Sequence, residues 1–140
     1  MKIKCAGGLF LAKDTKRFLF LQRTQPKTFG NWGLVGGKTE PEDNTPYNTL
    51  MREISEELGK TPPIKKFVPL EVYLSNDETF QYDTYVLIVE KEFIPTLNSE
   101  HDGYAWVNLN SWPVPLHRGL KKSLTNKIIK SKLELIIDLI

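Results

Sequence analysis

The sequence predicts a layered α/β (α+β) domain, with helices on a mixed β-sheet. Three observations predict it. Short apolar runs, alternating or continuous, recur between Ile3 and Val107, as strands do. One mid-chain and one C-terminal segment repeat apolar residues every three to four positions, as helices do. Strands interleaved with so few helices suit a sheet that carries them on its faces. The chain has 140 residues, 40% hydrophobic and 26% charged, enough for one domain over residues 1–140 with its own core. A net charge of +2 is too mild to point to nucleic acid or lipid. One cysteine, Cys5, excludes an internal disulfide framework and fits a reducing compartment. No apolar run approaches the ~20 residues of a membrane span, and MKIKCAGGLFLAKD lacks a signal-peptide pattern. The expectation is a cytoplasmic protein.

The elements follow in order. Ile3 to Leu11 reads as a strand interrupted by Gly7-Gly8, where a strand bulges or something approaches closely. Arg17 to Arg23 pairs with it as a hairpin, and TQPKTFGNWG is a loop. Trp32 to Val35 is a short strand ending at Gly36-Gly37. Thr45 suits an N-cap, Pro46 the first helical position and Gly59 the position past the end, so a helix runs from Pro46 to Leu58. Tyr47, Leu50, Ile54 and Leu58 form its apolar stripe. Phe67 to Leu74 and Thr79 to Glu90 are strands around the turn SNDE, and YVLIV at 85–89 belongs at the sheet centre. Tyr104 to Val107 is a last short strand, and PVPLHRG a loop. Leu120 to Ile140 reads as one basic amphipathic helix, with Leu124, Ile128, Ile129, Leu133, Ile136 and Ile140 on one side.

The mid-chain helix carries an unusual face. Glu53, Glu56 and Glu57 share one arc, beside the apolar stripe, and Arg52 is the only base in the helix. A solvated acidic face is the bland explanation, but such faces normally interleave lysines. Like charges four apart cost roughly a few tenths of a kcal/mol. Carboxylates in the last turn oppose the helix dipole, by roughly 0.3–1 kcal/mol each. A divalent cation reverses both terms, and carboxylate oxygens with water suit Mg²⁺ or Mn²⁺. Cys5, His101 and His117 have no zinc-ligand spacing. Before the helix, Gly36-Gly37 lets backbone carbonyls approach an ion, and Lys38 can meet phosphate as a point charge. A tight turn explains a glycine pair equally well.

Together these residues resemble the signature of the Nudix hydrolases. After Gly37 come five residues and Asp43, where the family has glutamate. Eight residues follow instead of seven. Arg52, Glu53, Ile54, Ser55, Glu56, Glu57, Leu58 and Gly59 then match without a gap, and Lys60 replaces an aliphatic residue. RFLFLQR with GNWGLVGG, SEHDGYAWV and PLHRGL extend the likeness over most of the chain. The resemblance implies an α/β/α sandwich around a mixed sheet. It also implies hydrolysis of a pyrophosphate bond in a nucleoside diphosphate linked to another group.

On that basis Glu53, Glu56 and Glu57, with the Gly37 carbonyl, are expected to hold Mg²⁺ or Mn²⁺, and Arg52 to orient a carboxylate. The general base is a helix glutamate or a residue of the late loop, Glu100 or His101; a surface position explains either loop residue as well. Arg23 is a candidate phosphate contact and Lys38 another, against exposed charges without a role. Phe29 and Trp32 are candidate base-stacking groups, against core packing. The substrate is a small nucleotide: a nucleoside triphosphate, ADP-ribose, a dinucleoside polyphosphate or a nucleotide sugar. RTQPKTFGNW with SEHDGYAW also resembles GDP-mannose mannosyl hydrolases, although those lack the full glutamate trio. The other class of reading is a nucleotide-binding module without turnover. No membrane partner and no stable nucleic-acid binding are expected, and the C-terminal helix offers a stripe for a homodimer.

Overall fold

The computed structural model describes residues 2–140. In chain order the elements are β1 (Ile3–Ala12), β2 (Phe18–Arg23), a 3₁₀ turn (Pro26–Thr28), β3 (Trp32–Gly33), β4 (Val35–Lys38) and α1 (Pro46–Leu58). Then come β5 (Lys66–Leu74), β6 (Phe80–Val89), β7 (His101–Val107), α2 (Arg118–Thr125) and α3 (Lys127–Leu139). The seven strands form one mixed sheet. β6 runs parallel to β1 and antiparallel to β5, while β2 is antiparallel to β1, β3 and β7.

Helices cover both faces, giving an α/β/α sandwich. Alternation along the strands builds it. Phe10, Leu19, Leu21, Leu87 and Val89 point to the α1 side with Leu50, Ile54 and Leu58. Leu9, Leu11, Phe18, Phe20, Val86 and Ile88 point the other way, to Leu124, Ile129 and Leu133 of α2 and α3. The unbroken runs FLFL and VLIV belong to strands buried on both faces. α1 keeps its expected bounds. Thr45 Oγ1 accepts from the Asn48 N–H at 3.1 Å, and Gly59 stops the helix at φ 70°. Tyr47 lies outside the core and packs on Phe67 instead.

Three expectations change. The predicted strand from Trp32 to Val35 is two strands, and the second continues through Gly36-Gly37 to Lys38, because these residues pair with Cys5–Gly8 of β1. The last strand begins at His101, not Tyr104, since Arg23 pairs with His101 beyond a bulge. The single C-terminal helix is broken at Asn126, whose backbone is extended (φ −73°, ψ 131°). Its Oδ1 accepts from the N–H groups of Ile128 and Ile129 at 2.9 and 3.2 Å, so Asn126 caps α3. The break turns Leu124 and Ile129 to one core while leaving Ile128 outside.

Asn126→Ala is therefore expected to lower stability by about 1 kcal/mol. A urea-denaturation midpoint shift at unchanged slope measures it; an unchanged midpoint would deny Asn126 that role.

Candidate active site

The sheet opens at β1. Its first half pairs with β4 over Cys5–Gly8, and its far end with β2 at Leu11. β4 then runs beneath α1. A Cβ on Gly36 would meet the Ala6 carbonyl oxygen, and one on Gly37 would meet the Glu53 carboxylate. Only glycines let the helix carboxylates come this close to the strand. The Gly36 N–H, in turn, donates to Glu57 Oε2 at 3.2 Å.

The three glutamates occupy different environments. Glu57 is 2% exposed, a buried acid rather than part of an open face. Burial raises its pKa well above the ordinary carboxylate range. The Glu53 carboxylate, within hydrogen-bonding reach, raises it further, and the Gly36 N–H acts the other way. Glu53 takes a bond from Arg52 Nη1 at 3.0 Å. Glu56 is half exposed, with Oε2 3.3 Å from the same nitrogen. Arg52 also donates from Nη2 to Asp43 Oδ2 and to the Lys38 carbonyl, each at 2.9 Å. It thereby ties the loop after β4 to the helix. Arg52, followed by the Glu40 N–H, pulls the Asp43 pKa down to about 2.

The late loop closes over this end of α1. Asn98 Nδ2 donates to the Glu56 carbonyl at 2.9 Å, and the Thr96 N–H to the Leu58 carbonyl at 3.0 Å. His101 is buried, with Nδ1 3.6 Å from Glu57 Oε1. Burial, and then the Arg23 charge, depress its pKa to about 4. A neutral imidazole beside a protonated carboxyl is not an ion pair, so the short distance alone contributes little. Glu100 accepts from Gln25 Nε2 and Asn98 Nδ2, each at 3.3 Å. The buried side-chain polar atoms without a partner, among the described residues, are Arg23 Nε, Thr28 Oγ1 and both ring nitrogens of His101. Such atoms are rare in a folded interior, and here they fall on β2, β7 and the loop after β2, with the Arg23 charge acting on His101.

The structure thus brings Glu53, Glu57, His101 and Arg23 into one neighbourhood, with Glu56 and Glu100 at its rim. Arg23 lies flat over Gly33, where a Cβ would come within 3.0 Å of Nε. Lys38 stands opposite Cys5 on β1, and its carbonyl rather than its ammonium is engaged. Phe29 is 69% exposed on the loop. Trp32 is half-buried against the α2–α3 core. Two further residues line the cleft. The Tyr82 ring covers Gly7, and burial pushes its hydroxyl up to about 12 against the opposing pull of Arg23. His117 is fixed beside β3, because the Trp32 N–H donates to the Pro115 carbonyl and the His117 N–H to the Trp32 carbonyl, both at 2.8 Å. Burial and the Arg23 charge lower its pKa as well. The Gly7-Gly8 interruption was the only sign of Tyr82 in the sequence; nothing local signalled His117.

A divalent cation fits this donor set. Glu53 and Glu57 are neighbouring carboxylates, one of them buried at a cost, and hard oxygen donors of this kind suit such an ion. Among the described residues no three His, Cys, Asp or Glu side chains converge as a closed cage. A hard cation held by one or two carboxylates, with water and substrate oxygens completing its shell, needs no such cage.

Comparison with known proteins places the fold. The family model of the NUDIX domain matches residues 1–127. Among solved structures, a MutT NUDIX hydrolase from Burkholderia pseudomallei is 22% identical with a TM-score of 0.67, covering 89% of this chain and 96% of its own. The NUDIX domain of Shewanella oneidensis NrtR, solved with ADP ribose, is 16% identical with a TM-score of 0.70, covering 96% and 89%. An Ap4A hydrolase from C. elegans is 18% identical with a TM-score of 0.66, covering 96% of each. No curated protein matches the sequence closely enough to count as a relative.

The Asp43–Arg52 pair makes a pH prediction. A carboxyl whose pKa falls on folding, here from 3.8 to about 2, adds stability above the higher value that is lost as pH falls through the lower. The wild type should be more stable than Asp43→Asn at pH 7, with the gap closing between those two pKa values. Thermal unfolding across pH measures it, and a gap that persists at the acid end would contradict the pairing.

Proposed function

The chain belongs to the NUDIX family of hydrolases, and from that premise we propose that it cleaves a pyrophosphate bond in a nucleoside diphosphate linked to another group, using Mg²⁺ or Mn²⁺. The observation that carries the reading is the buried Glu57 carboxyl against Glu53, where Arg52 meets only Glu53 of the two and no lysine or arginine meets Glu57 among the described residues. A structural acid has no reason to stand there. A cation that meets a polyanionic substrate supplies one.

Each residue has a distinct task in this reading. Glu53 and Glu57 would hold the cation, which would supply neutralisation of phosphate charge and a water nucleophile near neutral pH. The Gly36 N–H fixes the rotation of the Glu57 carboxyl. Arg52 keeps Glu53 in place and holds Glu56 at the outer side, where its exposed carboxylate would add to the set. The Gly37 carbonyl is a further oxygen on the same strand. Arg23, a charged group with a buried and unpartnered Nε, receives a phosphate. His101, with both ring nitrogens free, is placed to accept or relay a proton, and Glu100 lies one residue away. Lys38 and Phe29 stand at the rim as outer contacts for phosphate and base. Small nucleotides such as nucleoside triphosphates, ADP-ribose and dinucleoside polyphosphates share the required chemistry.

Incubation with Mg²⁺ and a panel of these compounds, with products resolved by chromatography, tests the proposal. Glu57→Gln should lower turnover by at least about 100-fold, since loss of a cation site removes several kcal/mol of charge stabilisation. Affinity for a nucleotide without turnover would instead assign the chain a binding role. Wild-type turnover in Glu57→Gln would remove the carboxylate assignment.

A further inference from the structure

The sheet face that carries α2 and α3 is covered only in part. Leu9 with Val86, and Leu11 with Ile88, lie under those helices. The cover reaches Glu71, whose carboxylate accepts from Ser123 Oγ of α2. Two positions further along β5, Tyr73 is 51% exposed. It stands opposite Tyr82 of β6, and Tyr82 stands opposite Cys5 of β1. Cys5 pairs in turn with Lys38 of β4. Directly paired residues share a face, so one row crosses four strands, from an exposed ring to an ammonium. Phe80 flanks the row, its ring centroid 6.2 Å from that of Tyr73 and 6.4 Å from that of Tyr82. These are the spacings of aromatic rings in contact. The three rings form a shelf, partly open to solvent.

Tyr82 joins the shelf to the cleft. Its hydroxyl lies over Gly7, where a Cβ would collide with it, and the charges of Arg23, Glu57 and Glu53 act on it. The shelf therefore begins beside the groups assigned to phosphate and cation. Its own strands keep their edge-reading groups elsewhere. Gln81 Nε2 donates to Asp83 Oδ1 at 2.9 Å on the opposite face, and Glu71 is taken by Ser123. What faces a ligand is a set of π-surfaces with one ammonium at the inner end.

We propose, resting on the nucleotide reading above, that this shelf takes the base of the substrate and selects purines over pyrimidines by stacking, without distinguishing adenine from guanine. Every base has a π-face, so stacking tolerates differences at the base edge. A purine, with two fused rings, covers more of a three-ring row than a pyrimidine does. Adenine and guanine differ in the donors and acceptors of their edges, and no free amide or carboxylate of β5 or β6 stands on this face to read them. Lys38 at the inner end of the row, and Arg23 beside Tyr82, meet the phosphates of a nucleotide whose base lies on the shelf. Phe29 is a single exposed ring on the loop after β2, and β2 lies on the other side of β1 from β6 and β5.

Isothermal titration of the full chain with ATP, GTP, CTP and UTP in EDTA reads binding without turnover. ATP and GTP should bind within about threefold of each other, and each about tenfold tighter than CTP or UTP. Tyr73→Leu keeps apolar bulk on the strand and removes the ring. It should cut the purine preference to about twofold or less, with an unchanged circular dichroism spectrum, and Tyr73→Phe should restore it. A general loss of structure would weaken all four nucleotides alike and leave their ratio unchanged. A wild type that binds purines and pyrimidines equally, or binds none of the four, would overturn the proposal. So would a preference indifferent to Tyr73→Leu, or one lost in Phe29→Ala instead. A preference of about tenfold for one purine over the other would overturn the absence of edge reading. Turnover without a purine preference sinks the shelf alone, and a Tyr73-dependent preference without turnover sinks the hydrolytic reading alone.

Discussion

The hydrogen bond from the Gly36 N–H to the Glu57 carboxyl is the constraint on which the site depends. It sits where β4 passes under the last turn of α1, and it fixes a carboxyl out of water. Leu50, Ile54 and Leu58 press the helix onto the sheet, and that packing forces Glu57 inside with them. Moving Glu57 outward would unseat Leu58 beside it and Ile54 one turn away. The apolar stripe thus supplies the energy that holds an unfavourable acid in position. Several kcal/mol of buried side chain comfortably outweigh a desolvation term that protonation relieves in the absence of a cation.

The two sides of the sheet divide the work. α1, held over β4, carries the carboxylates, while β2, β7 and the segment before α2 carry Arg23, His101 and His117. An acidic side therefore faces one arginine and two neutral imidazoles across the split at β1. Neither side neutralises the other, since Arg23 has no carboxylate partner among the described residues. This separation suits a ligand that carries both a cation and phosphates.

Much of the fold was legible because its signals are local. Thr45, Pro46 and Gly59 bounded α1 to the residue, and the apolar runs of β2 and β6 marked strands buried on both faces. What stayed hidden depended on partners distant in sequence. β4 runs through a glycine pair because β1 lies beside it, and β7 starts at the polar pair His101-Asp102 because β2 ends there. Asn126 is a cap residue inside a helical pattern, and periodicity alone passes over it. In the site, the Glu53, Glu56 and Glu57 cluster was visible as an arc, but an arc cannot tell a buried acid from a solvated one. Only the passage of β4 separates Glu57 from Glu56. His117 joins the cleft through two backbone bonds to Trp32, which no spacing announces.

The departure at Asp43 has a physical account. An aspartate reaches one methylene less than a glutamate, and eight residues rather than seven separate it from Arg52. The turn at 40–43 takes up the difference. The Asp43 N–H donates to the Glu40 carbonyl at 2.9 Å, and the Glu40 N–H donates to Asp43 Oδ2 at 3.0 Å. These reciprocal bonds fold the loop back, so the shorter carboxylate still meets Arg52 at 2.9 Å. The longer connection lets the turn form ahead of the Thr45 cap without distorting it. Arg52 then has a fixed acid on one side and two helix glutamates on the other. A single guanidinium can span both because its five donors are spread in a rigid plane. A lysine, with one charge centre and no fork, would serve the loop or the helix but not both. The requirement at this position is therefore for arginine's shape as much as for its charge, and the acid at 43 need only arrive within its reach.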